Sequence, residues 1–194
     1  SLACDNKEDK LIKKQIKKID NIVEQMLFYA RSDSVEKDYF VKKVLLEDVV
    51  HTAIMNYMDS LIQKKISLDV YNLENYVYID EKWITFIICQ VLQNSIKYSN
   101  KPEKVIKIHS ENNKNNVVLV IEDNGEGILD HDLPRVFEYG FTGTDRQKQY
   151  STGIGLYLCK KLCNKMNLDI KIESQYKKFT KVKIIFPKTN LYRQ

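Results

Sequence analysis

Three separated stretches decide the fold of this chain. They are Gln90-Val91-Leu92-Gln93-Asn94-Ser95-Ile96-Lys97-Tyr98, Asp123-Asn124-Gly125-Glu126-Gly127-Ile128 and Ser151-Thr152-Gly153-Ile154-Gly155-Leu156. The first predicts a helix with a polar face, the second a glycine turn after a strand, and the third a helix start that contains glycines. Each pattern alone is common, so the information lies in their order along one chain.

Length and composition limit the alternatives. The chain has 194 residues, of which 43% are hydrophobic and 29% charged, and this suits one domain of ordinary size plus an extra element. The net charge of +5 is modest, and the local cluster of lysines near residues 10–18 is more simply a solvated helix face than a nucleic-acid-binding surface. No run of 18 apolar residues occurs in the sequence, so no membrane-spanning segment is predicted.

Residues 5–34 are predicted to form one long helix. Its apolar residues alternate spacings of four and three, which is the pattern of a coiled-coil seam. The residues in this seam are Ile12, Ile16, Ile19, Val23, Met26 and Ala30. The pattern favours a dimerisation helix, and the alternative is an amphipathic helix that packs on its own domain. We expect two parts, residues 1–34 and residues 35–194.

The second part mixes two periods. Strand-like stretches lie near residues 39–45, 65–70, 76–79, 104–110, 116–122, 168–174 and 179–186, and helical patterns near 46–63, 80–99 and 153–166. Residues 124–152 have no regular apolar period, and a loop of this length is usually functional. These elements predict an α/β two-layer sandwich, with a mixed sheet covered on one face by helices.

The predicted helix 80–99 separates two faces at 100° per residue. Gln90, Asn94, Lys97 and Tyr98 share the polar face, and Ser95 falls on the mostly apolar one. Asn94 offers a neutral oxygen suited to Mg²⁺ that already holds phosphate oxygens, and Lys97 offers a mobile positive charge. The alternative is an ordinary surface stripe.

A strong strand pattern over residues 117–122 ends at the Asp-Asn-Gly-Glu-Gly turn. Gly125 and Gly127 permit backbone conformations that a Cβ would forbid. A carboxylate here can accept a hydrogen bond from the exocyclic amine of adenine, where guanine presents a carbonyl. An ordinary β-turn is the simpler alternative, and the acids lack the spacing of an EF-hand calcium loop.

The third stretch opens a helix whose first turn has free N–H groups. Ser or Thr can cap such a helix, and the exposed N–H groups and the helix dipole bind phosphate. The sequence contains no P-loop motif, and Gly153-x-Gly155 lacks the third glycine of a dinucleotide-binding fingerprint. Nucleotide binding would therefore use a different fold from these two.

In this order the three stretches resemble the N box, G1 box and G2 box of the catalytic domain of bacterial sensor histidine kinases. That domain has the Bergerat ATP-binding fold of the superfamily shared with gyrase B, Hsp90 and MutL, and the resemblance covers about residues 10–187. Residues 133–143 resemble the F box of these kinases. Gly140-Phe141-Thr142-Gly143, Arg146 and the segment from Ser151 are similar to intramembrane-sensing kinases that respond to bacitracin and other antimicrobial peptides.

The resemblance implies ATP and Mg²⁺ as ligands. It implies that Asp123 binds adenine, that Asn94 holds Mg²⁺ through ATP, and that Arg135 meets the terminal phosphate. The residues assigned to catalysis are Gln90, Asn94, Lys97 and Arg135. The residues assigned to nucleotide binding are Asn94, Lys97, Tyr98, Asp123, Gly125, Gly127, Ile128, Thr142, Thr152, Gly153, Ile154, Gly155 and Leu156.

The resemblance also implies partners. These are a response regulator, a second copy bound through the N-terminal helix and a membrane transporter, with no nucleic acid. The chain would be the cytoplasmic domain of a membrane-anchored bacterial protein. None of His51, His109 and His131 has the surroundings of a phosphoacceptor, so the acceptor is expected upstream in a longer kinase.

Three departures from the family pattern and two rival functions remain. Ser151 replaces a glycine of the family pattern, and the glycines usual around the closing hairpin are absent. Gln90 stands where ATP-hydrolysing members carry a glutamate, and an amide cannot act as a general base. This counts against an ATPase clamp, which phosphate release would favour. The other rival is an interaction module with a degenerate pocket, which absence of nucleotide binding would favour.

Overall fold

The computed structural model describes residues 2–31, 39–144 and 152–188. The predicted helix break at residues 32–34 lies outside these ranges, as do Arg146 and Ser151. The chain divides into two compact units, Ser1–Lys37 and Asp38–Gln194.

The first unit contains one long helix, α1, which spans Leu2–Arg31. Its apolar residues Ile12, Ile16, Ile19, Ile22, Val23, Met26 and Leu27 are between 41% and 59% exposed. The helix therefore carries an apolar stripe with the spacing that the sequence predicts. Such a stripe is stabilised when another apolar surface covers it.

The second unit contains the other elements of the described chain, close to their predicted positions. They are β1 (Lys42–Leu45), α2 (Leu46–Lys64), β2 (Ile66–Tyr71), β3 (Tyr76–Ile79), α3 (Glu81–Tyr98), β4 (Lys104–Asn112), β5 (Asn116–Asp123), α4 (Gly155–Lys165), β6 (Asp169–Gln175) and β7 (Phe179–Pro187). A short 3-10 helix at Leu133–Arg135 lies in the predicted long loop. The predicted α/β fold is confirmed.

The main sheet has five strands in the order β2-β4-β5-β7-β6. β2 and β4 run parallel, and the remaining neighbours are antiparallel, so the sheet is mixed as predicted. β1 and β3 form a separate antiparallel pair. The two tight antiparallel connections, β4 to β5 and β6 to β7, bring the end of β5 beside the start of β7.

The two faces of the sheet differ in character because side chains alternate along each strand. Ile108, Leu119 and Ile184 are fully buried on one face, where they form the core. On the other face the carboxylate of Glu122 pairs with the ammonium of Lys181 at 2.8 Å. Asp123 follows Glu122, so alternation turns its side chain toward the core and the helices.

Helix α3 begins at a strong cap. The carboxylate of Asp80 accepts from the N–H of Lys82 at 2.9 Å, and its second oxygen accepts from the N–H of Phe40 at 2.9 Å. The apolar face predicted from the sequence is buried: Ile84, Ile88, Val91 and Leu92 are at most 1% exposed. This packing fixes the rotation of α3 on the sheet, and with it the direction of its polar residues.

The hairpin between β6 and β7 closes without a glycine. Lys177 takes the left-handed conformation instead, with φ of 61°. This conformation costs a non-glycine residue about 1–2 kcal/mol. The N–H of Lys177 donates to the carbonyl of Glu126, which ties this turn to the glycine turn after β5.

A substitution in the central strand tests the placement of the core. Leu119→Ala should lower the free energy of unfolding by about 2–5 kcal/mol, because it leaves a cavity at a fully buried position. Val70→Ala is the control, since Val70 is 41% exposed on β2, and it should change the free energy by less than about 1 kcal/mol. Urea denaturation measures both, and equal losses would contradict the described core.

Candidate functional site

The carboxylate of Asp123 lies at the centre of the site, at the end of β5. The hydroxyl of Ser95 on α3 donates to its Oδ2 at 2.8 Å, and the N–H of Gly125 donates to its Oδ1 at 3.0 Å. The side chain is only 4% exposed. Burial raises the pKa of the Asp123 carboxyl, although both hydrogen bonds oppose the rise. Each oxygen is thus oriented by one internal donor and keeps a lone pair for a ligand.

Gly125 allows the turn after β5 to approach the end of α3. A Cβ at this position would lie 2.7 Å from Oδ1 of Asp123 and 2.7 Å from the carbonyl oxygen of Tyr98. The same carbonyl accepts from the N–H of Glu126 at 3.1 Å. The glycine turn is therefore fastened to the last turn of α3.

Gly127 fastens the same turn on its other side. It has φ of +70°, and a Cβ there would lie 2.1 Å from the carbonyl oxygen of Gln175. The N–H of Ile128 donates to the hydroxyl of Ser174 at 2.9 Å. The turn that carries Asp123 is therefore held between α3 and the β6–β7 hairpin.

The polar residues of α3 differ in exposure. Asn94 and Tyr98 are half-buried and Lys97 is exposed, with its ammonium 5.1 Å from the centre of the Tyr98 ring. Gln90, predicted on the same polar face, is only 2% exposed. Gln90 therefore shares the polar face of α3 but is covered by neighbouring parts of the fold.

The segment between the glycine turn and the end of this described range, residues 129–144, is called the lid, and Asp132 holds it. Its Oδ2 accepts from both the N–H and the hydroxyl of Thr144, each at 3.1 Å. Nε of Arg135 donates to Glu138 at 2.9 Å, and its guanidinium lies 4.5 Å from the centre of the Phe141 ring. Arg135 is thus engaged within the lid in this structure, and Thr142 is exposed.

The segment before α4 meets the lid at a pair of glycines. Gly153 has φ of +67°, and a Cβ there would lie 2.3 Å from the carbonyl carbon of Gly140. The N–H of Gly140 donates to the carbonyl of Gly153 at 3.1 Å. Close backbone packing therefore joins the lid to the start of α4.

The start of α4 differs from the prediction in its cap. The N-cap position is Ile154, which offers no side-chain acceptor, so the prediction that a Ser or Thr caps this helix is wrong. Thr152 lies two residues earlier, and its hydroxyl accepts from the N–H of Ile154 at 3.3 Å. The N–H of Leu158 is the first in α4 to donate along the helix, to the carbonyl of Ile154. The earlier N–H groups of the first turn, including those of Gly155 and Leu156, have no carbonyl of the helix to donate to. Such N–H groups suit a negatively charged ligand.

The structure brings some of the predicted site residues together in two clusters. Asp123, Gly125 and Tyr98 are in direct contact, and Gly127 and Ile128 hold their turn to the hairpin. Gly153 contacts the lid through Gly140. Ser95 was missed, although a lone hydroxyl on the buried face of a helix, next to Asn94, is a recognisable signal of a buried polar partner.

None of the helices in the described ranges combines the length and the hydropathy needed to cross a membrane.

Comparison with known proteins gives the family. Residues 79–190, more than half of the chain, match the model of the histidine kinase-, DNA gyrase B- and HSP90-like ATPases. The chain is 37% identical to sensor protein BceS of Halalkalibacterium halodurans over 97% of its length, and 35% identical to sensor protein kinase GraS of Staphylococcus aureus over 89%. It spans 58% and 50% of the lengths of these relatives.

A solved structure supports the fold. The histidine kinase AdeS of Acinetobacter baumannii superposes with a TM-score of 0.72 over 93% of this chain and 84% of that one, at 22% identity. At this identity the likeness concerns the fold alone.

Alanine substitutions at two glycines can separate the cost of a steric clash from the cost of a positive φ. Gly127→Ala and Gly140→Ala both place a side chain at positive φ, which costs about 1–2 kcal/mol. A Cβ at Gly140 meets nothing within 4 Å, whereas a Cβ at Gly127 meets backbone at 2.1 Å. Thermal and urea unfolding should therefore show a distinctly larger loss for Gly127→Ala, and similar losses would contradict the clamped turn.

Proposed function

Because the chain belongs to the family of histidine kinase-, DNA gyrase B- and HSP90-like ATPases, we propose that it is the ATP-binding catalytic domain of a two-component sensor histidine kinase. The observation that carries this proposal is the buried carboxylate of Asp123, held by Ser95 and Gly125 at the end of β5. The names of the relatives BceS and GraS support it, since both are sensor proteins.

Asp123 is proposed to bind the adenine base. As a carboxylate it accepts hydrogen bonds only, and the exocyclic amine of adenine is a donor. Because Asp123 is shielded from water, a mismatched acceptor opposite it would be costly. The glycine turn at Gly125 and Gly127 leaves the backbone close to the base without an intervening side chain.

The phosphates are proposed to lie between α3, the lid and the start of α4. Lys97 and Arg135 would neutralise phosphate charge, and the N–H groups at residues 153–156 would donate to phosphate oxygens. Arg135 is now paired with Glu138, so we propose that it exchanges this partner for the terminal phosphate. Thr142 and Thr152 would contribute hydroxyls from the lid side.

The donor set fits Mg²⁺ that arrives with the nucleotide. Among the described residues, no three His, Cys, Asp or Glu side chains converge on a metal position. Mg²⁺ keeps water and phosphate oxygens as ligands and needs few from the protein, and the half-buried amide of Asn94 can supply one. When bound, the ion would supply charge neutralisation on the phosphates.

The proposed reaction is phosphoryl transfer to histidine. An imidazole nitrogen attacks the γ-phosphorus of ATP, the bond to the β–γ bridging oxygen breaks, and ADP leaves. The protein's contribution is positioning and charge stabilisation rather than covalent chemistry. The amide of Gln90 cannot activate water, which favours this reaction over hydrolysis. We propose that the acceptor histidine lies outside this chain, because His51, His109 and His131 lack its surroundings.

The partners are proposed on the same basis. The phosphoryl group would pass from the histidine to an aspartate of a response regulator. The exposed apolar stripe of α1 supports pairing with helices of a second copy. From the resemblance of the sequence to intramembrane-sensing kinases, we propose a membrane-anchored protein with this domain on the cytoplasmic side, and a membrane transporter as a signalling partner.

Calorimetric titration with ATP and Mg²⁺ tests the proposal. The chain should bind ATP saturably. Asp123→Asn should abolish detectable binding, because the amide nitrogen, a donor, replaces one of the carboxylate oxygens that can accept from adenine, and the negative charge is lost. Unchanged affinity in Asp123→Asn would contradict the adenine assignment. Absence of binding by the unaltered chain would favour an interaction module.

The stability of Asp123→Asn provides an independent control. Since the pKa of Asp123 is raised above its ordinary value of 3.8, this residue stabilises the fold at low pH, and that contribution is lost as pH rises through the folded pKa. Asparagine does not titrate and can donate to Ser95 while accepting from Gly125. Relative to the unaltered chain, the variant should gain stability in urea unfolding as the pH rises above the ordinary carboxyl pKa of 3.8. A relative loss over this range would contradict the burial of the charge.

A further inference from the structure

The side chain of Ser95 is unusual for its position. It is 3% exposed and lies on the face of α3 that is otherwise filled by Val91, Leu92 and other apolar residues. A buried hydroxyl costs stability unless it is hydrogen-bonded, whereas alanine would occupy the same place without that cost. The partner of the Ser95 hydroxyl is Oδ2 of Asp123, at 2.8 Å.

We propose that Ser95 is a positioning residue that sets the preference of the site for adenine over guanine nucleotides, by donating to Asp123 and keeping that carboxylate a hydrogen-bond acceptor. The inference rests on the proposed function, because it requires that Asp123 faces the base of a bound nucleotide.

The hydrogen-bond donors and acceptors around Asp123 support this role. A serine hydroxyl has one hydrogen, and an ionised carboxylate only accepts. The two internal donors to Asp123, from Ser95 and Gly125, therefore stabilise its ionised form. The amine of adenine is a further donor to the same group. The carbonyl of guanine at that position is an acceptor, so it opposes the carboxylate.

Protonation would reverse the preference. A protonated Asp123 carries an O–H that can donate to the carbonyl of guanine. Burial already favours the neutral form, as does the negative charge of Glu122, the preceding residue of β5. Lys101, in the connection from α3 to β4, acts in the opposite direction together with the two donors. Removing the Ser95 hydroxyl leaves this balance closer to the neutral acid.

Ser99, which directly follows α3, provides a matched control. Ser99 is 8% exposed, and its hydroxyl donates to the backbone carbonyl of Ser95 at 2.7 Å. Ser99→Ala thus removes a buried hydroxyl one turn further along, from a bond to the backbone rather than to Asp123. Any general effect of a lost buried hydroxyl appears in both variants.

The experiment measures ATP and GTP affinities of the full chain with Mg²⁺ as a function of pH. Ser95→Ala should reduce the ratio of ATP to GTP affinity by about tenfold or more, as expected for a hydrogen bond to a charged group. The loss of ATP binding on acidification should begin at a higher pH in this variant. Ser99→Ala should keep both the ratio and the pH profile within about twofold of the unaltered chain. An unchanged ratio in Ser95→Ala, or an equal effect of Ser99→Ala, overturns the proposal.

A second variant covers the case in which Ser95→Ala does not fold. Ser95→Cys keeps a side chain of similar size and replaces a strong donor by a weak one. It should also reduce the ratio, and an unchanged ratio overturns the proposal. The outcomes distinguish a failure of the proposed function from a failure of the role of Ser95. If the unaltered chain binds no ATP, the proposed function fails and this inference with it, whereas ATP binding with unaltered selectivity in both variants removes only the role of Ser95.

Discussion

The site depends on one buried charge, the carboxylate of Asp123, and on the two donors that hold it. An ionised group that is 4% exposed is costly to bury unless hydrogen bonds compensate for the lost water. Ser95 and the backbone of Gly125 provide that compensation, one for each oxygen. Because one donor lies on α3 and the other on the turn after β5, the same interaction fixes the distance between helix and strand.

The surrounding packing explains how the constraint is met. Strand alternation turns Asp123 toward the core, while its neighbour Glu122 pairs with Lys181 on the opposite face. The glycine turn is clamped between the end of α3 and the β6–β7 hairpin, and each contact requires the absence of a Cβ. The lid is built differently, since its contacts through Asp132 and Arg135 are polar and lie within the lid itself. A clamped turn beside a lid with its own polar contacts would suit the proposed binding of a nucleotide that must enter, react and leave.

Much of this arrangement could be predicted from the sequence, for physical reasons. Periodicity located the strands and helices because burial of one face imposes it, and the glycine turns were predicted because few other residues adopt their conformations. The burial of Gln90 could not be predicted, because a helical wheel contains no information about what packs against each face. The lone hydroxyl of Ser95 on the apolar face signals a buried polar partner but does not identify that partner as Asp123. The β6–β7 hairpin was expected, but the geometry of its turn was not, since Lys177 adopts a conformation usually reserved for glycine. The cap of α4 was misassigned because Thr152 lies two residues before the N-cap position.

The most direct test of the central claim is an experimental structure of this chain with a non-hydrolysable ATP analogue and Mg²⁺. We predict that the exocyclic amine of adenine donates to Asp123 while Ser95 keeps its hydrogen bond to the same carboxylate. We also predict that the phosphates lie against the start of α4, with Asn94 beside the metal ion. A nucleotide bound elsewhere, or an adenine ring that does not contact Asp123, would contradict the account.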